Sequence, residues 1–63
     1  MKYGFIGCGN MGGAIATALS KSTKDILVTD RSGKAATLAQ KLGIAYGSVE
    51  EIVDTCDAIF LGV

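Results

Sequence analysis

The sequence predicts an α/β fold in which a parallel β-sheet is covered by helices on both faces. Short apolar runs alternate along the chain with segments in which apolar residues recur every three or four positions. Because the runs are nearly continuous in apolar residues, they are typical of strands buried on both faces. We therefore predict the order β-α-β-α-β-α-β, with right-handed crossovers and the spatial strand order 3-2-1-4 of a doubly wound sheet.

Four apolar segments are predicted to be strands. Residues 3–6 form a short apolar run that is followed by glycines, and residues 26–29 come after the first helical pattern. Residues 44–46 are a very short candidate strand between two glycines. Residues 58–63 are a continuous apolar run and the strongest strand signal. In the predicted order, the very short strand lies at one edge of the sheet and the last strand lies beside the first.

Three helices are predicted from their periodicity and their end signals. Asn10 is placed to cap the first helix and Ser32 the second, while Gly43 occupies the position of a helix-ending residue with positive φ. The third helix opens with a Ser-x-x-Glu capping box at Ser48. The residues predicted to share one apolar face are Met11, Ala14, Ile15, Ala18 and Leu19 in the first helix, Ala35, Leu38, Ala39 and Leu42 in the second, and Val49, Ile52, Val53 and Cys56 in the third.

Composition and length exclude several classes of protein. The 63 residues are 49% apolar, carry six basic and six acidic side chains, and include no histidine. This is too apolar for a disordered segment and too balanced in charge for a nucleic-acid-binding arm. No stretch reaches the roughly 18 apolar residues of a membrane span, so we predict neither a nucleic-acid nor a membrane partner. Without a secretory signal, Cys8 and Cys56 are predicted to be free thiols in a reducing compartment.

A glycine motif joins the first strand to the first helix. Gly7-Cys8-Gly9-Asn10-Met11-Gly12 matches G-x-G-x-x-G within a βαβ unit, and Asp30 ends the second strand about 20 residues further on. These conditions together predict a Rossmann-like dinucleotide site. Gly7 permits the tight turn, Gly9 lets the backbone approach a pyrophosphate, and Gly12 lets the helix pack closely. The alternative is a glycine-rich turn that packs a helix on the sheet without a ligand.

The turn after the second strand bears on the choice of cofactor. A carboxylate at Asp30 can accept hydrogen bonds from both ribose hydroxyls, which favours NAD. Arg31 can pair with a 2′-phosphate and lie over adenine, which favours NADP, and Lys34 lies close by in sequence. For Ser32, a helix cap and a ligand-binding hydroxyl remain equal alternatives. We predict that NADP(H) is preferred and that NAD(H) is also used.

The stretch from Gly4 to Gly12, followed by Ala14-Ile15, resembles the amino-terminal signature of pyrroline-5-carboxylate reductases, and residues 57–63 are similar to that family's fourth strand. The resemblance implies NAD(P)H-dependent reduction of the imine 1-pyrroline-5-carboxylate to L-proline, the last step of proline biosynthesis, in the cytoplasm. It also implies a carboxy-terminal helical domain beyond Val63 that binds substrate and forms a homo-oligomer. Residues 1–63 would then be the amino-terminal part of an NAD(P)-binding Rossmann domain, truncated after the fourth strand.

From these patterns we expect the 63 residues alone to be inactive, since the segment offers no catalytic residue and no metal site. Two alternatives remain open. One is the half-domain of another oxidoreductase, of the β-hydroxyacid dehydrogenase or F420-linked NADP reductase type, and the other is a non-catalytic dinucleotide-sensing module. The predicted cofactor-binding residues are Gly7, Gly9, Asn10, Met11, Gly12, Asp30, Arg31 and Ser32.

Overall fold

A computed structural model describes residues 1–7 and 9–62 of the chain, with all of their side chains except those of Asn10 and Met11. Strands and helices alternate through the described residues in the predicted order. The strands are β1 (Tyr3–Ile6), β2 (Ile26–Thr29), β3 (Ala45–Tyr46) and β4 (Ala58–Leu61), and the helices are α1 (Asn10–Leu19), α2 (Lys34–Leu42) and α3 (Val49–Thr55). None of these helices has the length and apolar character needed to cross a bilayer.

The four strands form one parallel sheet in the order β3-β2-β1-β4, which confirms the predicted fold class. β1 lies in the centre, where Tyr3 is opposite Ile26 of β2 and Ala58 of β4. The chain winds outward through β2 and β3, then crosses back over the sheet to β4. The winding therefore reverses between β1 and β4. The loop that leaves the carboxyl end of β1 borders this point, which is where ligands bind in open α/β sheets, and the loop after β2 lies beside it.

The main apolar core lies between the sheet and the pair α1 and α2. Phe5, Ile26 and Val28 point to this face and are almost fully buried. The ring of Phe5 also stacks on that of Phe60 in the neighbouring strand, with centroids 4.8 Å apart and planes 10° from parallel. Since burial of each large apolar side chain contributes about 1.5–3 kcal/mol, this layer provides much of the stability of the fold.

α3 covers the opposite face of the sheet, and Gly4 lets it lie close to β1. An added Cβ at Gly4 would be 2.5 Å from Cγ2 of the fully buried Ile52 and 2.9 Å from Sγ of Cys56. The predicted capping box of α3 is confirmed: the hydroxyl of Ser48 accepts from the Glu51 N–H at 3.2 Å, and the carboxylate of Glu51 accepts from the Ser48 N–H at 3.1 Å.

The predicted apolar face of α1 is wrong at Ala14, Ile15 and Ala18, whereas Leu19 packs against the core as predicted. Ile15 is 41% exposed and its neighbours Ala14 and Ala18 are exposed, whereas Ala16 is fully buried and Ser20 nearly so. The buried residues are instead the small ones at Gly12, Ala16 and Ser20, and at Gly12 even a Cβ would lie 2.6 Å from the Gly7 oxygen. A helix face predicted from hydrophobic periodicity depends on the polarity of the side chains and does not consider their size.

The caps of α1 and α2 also differ from prediction. Gly9 is the N-cap of α1, so that Asn10 is its first helical residue. Gly33, with φ of 84°, is the N-cap of α2 in place of Ser32. The end of α2 is as predicted, because Gly43 adopts a left-handed φ of 70°. The face of α2 is confirmed by the burial of Ala35 and Ala39.

Candidate functional site

The glycine loop begins with a turn that only glycine adopts easily. Gly7 has φ of 90°, in the left-handed region where a Cβ would be strained. Its N–H donates to the carbonyl of Thr29 in β2 at 2.8 Å, which extends the sheet pairing by one residue before the chain turns into α1. The backbone hydrogen bonds of the sheet therefore fix the position of the loop.

The carbonyl of Gly7 is packed against two other glycines. A Cβ at Gly12 would lie 2.6 Å from the Gly7 oxygen, and a Cβ at Gly62 would lie closer still to the same oxygen. Gly62 is held by its own N–H, which donates to the carbonyl of Ile6 at 2.8 Å. Close packing of the loop, the first turn of α1 and the end of β4 thus requires glycine at all three positions.

Gly9 differs from these glycines because its surroundings within the protein are open. It is exposed, and among the described residues other than its chain neighbours the nearest atom to a Cβ built on it is the Gly62 oxygen at 3.9 Å. The Gly13 N–H makes the first backbone bond of α1, to the Gly9 carbonyl at 2.8 Å. The N–H groups ahead of it in the first turn have no carbonyl within the helix to bind and are suited to an anion.

A cleft of about 650 Å³ lies between the glycine loop and the turn after β2. This volume falls within the range of roughly 300–1,000 Å³ that is typical of small-molecule sites. Ile6 and Val49 form an apolar wall, and the turn after β2 forms a polar rim. The cleft is lined by Ile6, Gly7, Gly9, Thr29, Asp30, Arg31, Ser32, Lys34 and Val49.

The carboxylate of Asp30 is turned towards its own loop. Oδ1 accepts from the Gly33 N–H at 3.1 Å, while Oδ2 accepts from the Ala35 N–H at 3.1 Å and from the Ser32 hydroxyl at 3.2 Å. Asp30 therefore binds backbone donors at the start of α2, although it precedes the helix by several residues. The Ser32 hydroxyl also accepts weakly from the Lys34 N–H at 3.5 Å.

The structure brings together most of the predicted site residues. Gly7, Gly9, Asp30, Arg31 and Ser32 all line the cleft, whereas Gly12 lies behind the loop as a packing residue. The side chains of Asn10 and Met11, and the whole of Cys8, are outside the described residues. The residues that the sequence did not single out are Ile6, Thr29, Val49 and Gly62.

Groups for metal binding are not assembled in the part of the chain that the structure describes. No three His, Cys, Asp or Glu side chains lie together there as metal ligands. Cys56 is a free, half-buried thiol at the end of α3, as predicted. The site can thus bind and orient a ligand through backbone N–H groups, cationic side chains and an apolar wall.

Comparison with known proteins agrees with this geometry. Residues 2–63 match the family model described as NADP oxidoreductase, coenzyme F420-dependent. Over its whole length the chain is also 38% identical to a pyrroline-5-carboxylate reductase of Aquifex aeolicus (strain VF5). The chain spans 25% of the length of that relative. These similarities confirm the resemblance inferred from the glycine motif.

Proposed function

Because the chain belongs to the family of coenzyme F420-dependent NADP oxidoreductases, we propose that residues 1–63 are the amino-terminal part of an NAD(P)-binding Rossmann domain in a longer reductase. The observation that carries this proposal is that Gly9 lines the same cleft as Asp30, Arg31, Ser32 and Lys34. A dinucleotide needs an anion site and an adenosine site within reach of each other, and the two sides of this cleft would supply them.

The described residues fit the parts of such a cofactor. Gly9 and the first turn of α1 would hold the pyrophosphate through backbone N–H groups, while Gly7, whose N–H is bonded to Thr29, would form the turn that positions them. The apolar surface of Ile6 and Val49 suits adenine, and Arg31 would approach the adenosine end. When bound, the reduced nicotinamide would supply a hydride. The residues of this chain would bind and orient the cofactor.

The reaction we propose is reduction of 1-pyrroline-5-carboxylate to L-proline in the cytoplasm. Its support is the 38% identity to the reductase of Aquifex aeolicus, which extends over the whole chain. The imine-binding residues and the contacts of a homo-oligomer would belong to a carboxy-terminal helical domain outside these residues. In this proposal the 63-residue segment binds the cofactor, and the substrate binds to residues outside the segment.

A second candidate reaction, hydride transfer between NADP(H) and coenzyme F420, is favoured by the name of the matching family model. The two reactions differ in the acceptor that consumes NADPH. We expect the complete protein to oxidise NADPH when 1-pyrroline-5-carboxylate is added and to form proline, with no reduction of F420. If NADPH is oxidised when F420 is added but not when 1-pyrroline-5-carboxylate is added, hydride transfer to F420 becomes the proposed reaction.

The isolated 63-residue chain is expected to show no turnover with NADPH and 1-pyrroline-5-carboxylate. Catalysis requires the nicotinamide and the imine to be held in a reactive geometry, and the proposed imine site is outside the segment. The measurement is absorbance at the NADPH band with purified chain, using the complete protein as the positive control. Substrate-dependent turnover by the segment alone would show that the substrate site lies within residues 1–63.

The choice of cofactor is expected to depend on Arg31. The permanently charged guanidinium can make charge-assisted hydrogen bonds to a 2′-phosphate, which contribute about 1.5–3 kcal/mol. We therefore expect the complete protein to prefer NADPH over NADH in kcat/KM, and Arg31→Ala to lower that preference about tenfold or more. Lys41→Ala, which removes an exposed cation of α2 outside the cleft, is the control. A wild-type preference for NADH, or an unchanged ratio in Arg31→Ala, would contradict this prediction.

A further inference from the structure

The hydrogen bonds of Asp30 bear on how the turn after β2 selects a cofactor. An ionised carboxylate has about four acceptor positions on its two oxygens. Gly33, Ala35 and Ser32 occupy three of them. Two ribose hydroxyls would need two more, so the carboxylate cannot bind both without giving up a donor of its own loop.

We propose that Asp30 is a positioning residue that orders the 31–34 turn for a cofactor 2′-phosphate, rather than a ligand of the ribose hydroxyls. This inference rests on the proposed function, because it concerns the same cleft. By tying the Gly33 and Ala35 N–H groups to the end of β2, Asp30 fixes the path of the chain between them. Arg31 and Lys34, which are exposed and line the cleft, belong to this ordered segment.

The charge of Asp30 is compatible with a phosphate nearby. Its carboxylate lies at the amino end of α2, where the aligned peptide dipoles and free N–H groups stabilise a negative charge. The two N–H groups and the hydroxyl that it binds offset its field in the direction of the turn. The cations of Arg31 and Lys34 then remain available for a ligand instead of being neutralised by Asp30.

The two roles predict opposite changes in cofactor preference when Asp30 is replaced. If Asp30 orders the turn, Asp30→Ala in the complete protein should weaken NADPH binding and lower the ratio Kd(NADH)/Kd(NADPH) at least fivefold, with NADH binding changed less than twofold. If Asp30 binds ribose, Asp30→Ala should weaken NADH binding and raise the ratio. An unchanged or raised ratio overturns the proposal. A general destabilisation of the protein would weaken the binding of NADPH and NADH together. It would not cause a selective loss of NADPH affinity.

Asp30→Asn provides the conservative variant and keeps the test available if Asp30→Ala does not fold. Asparagine caps helices as well as aspartate and retains one oxygen acceptor. We expect this variant to retain at least half of the wild-type preference on a logarithmic scale. A ratio above the wild-type value would again identify Asp30 as a ribose ligand.

Amide hydrogen exchange tests the same point in the wild type. NADH binding should leave the exchange rates of the Gly33 and Ala35 amides unchanged or slower, because Asp30 keeps both bonds. Faster exchange at these amides on NADH binding would show that the carboxylate has moved to the ribose, and would overturn the proposal. If the complete protein binds neither NADPH nor NADH, the proposed function itself fails, and the role of Asp30 fails with it.

Discussion

Replacing Gly9 with alanine is expected to weaken NADPH binding by roughly thirtyfold, or about 2 kcal/mol, with little change in stability. Gly9 has an extended backbone, with φ of −73°, that alanine adopts without strain. Apart from its chain neighbours, no atom in the described part of the chain would lie closer than 3.9 Å to its new Cβ. The methyl group would therefore be tolerated by the protein but would occupy the path of the pyrophosphate. Titration of the complete protein with NADPH, together with a urea unfolding curve, measures the two effects separately.

Gly13→Ala is the matched control, because it adds the same methyl group one helical turn further on. There, outside the neighbouring residues and the backbone of α1, the nearest described atom to the new Cβ is Cδ2 of Leu38 at 4.0 Å. Since alanine favours a helix over glycine, this variant should be more stable by about 0.5–1 kcal/mol and bind NADPH normally. Cys8→Ala should also cost much less affinity than Gly9→Ala, because the loop is expected to use its backbone there. Equal losses in Gly9→Ala and these controls would refute the assigned role of Gly9.

Features that depend on local sequence were predictable in this fold. The parallel sheet followed from short apolar runs separated by helical patterns, and its order followed from the doubly wound arrangement typical of such patterns. The left-handed conformation of Gly43 and the capping box at Ser48 were also predictable, because each depends on residues within one turn of a helix end. The residues that line the cleft at Gly7, Gly9 and Asp30 were found from the spacing of a motif with a known geometric purpose.

Features that depend on distances between elements were not predictable. The buried face of α1 is set by how closely the helix approaches the sheet, so that Ala16 is buried and Ile15 is exposed. The role of Asp30 as a cap for α2 depends on the path of the turn, which placed a carboxylate near N–H groups up to five residues away. In the sequence, Gly62 was only a glycine near the end of an apolar run. Its structural role follows from its contact with Gly7.

That contact makes Gly62 a position where a single methyl group should be costly to the fold. An alanine Cβ there would collide with the backbone oxygen of Gly7, and Gly7 cannot move aside easily because its N–H is bonded to Thr29. Overpacking of this kind costs about 1–3 kcal/mol, and we expect Gly62→Ala to lie at the upper end and to weaken NADPH binding by displacing the loop.

Gly43→Ala separates this steric cost from the cost of backbone strain. Gly43 has φ of 70° and nothing within 4 Å of an added Cβ, so its replacement should cost only the strain, about 1 kcal/mol or slightly more. It should leave cofactor affinity unchanged, because Gly43 lies at the far end of α2. Urea unfolding of both variants in the complete protein gives the comparison. If Gly62→Ala proves no less stable than Gly43→Ala, the close approach of β4 to the glycine loop does not constrain the site, and Gly62 is a tolerant residue of an exposed strand end.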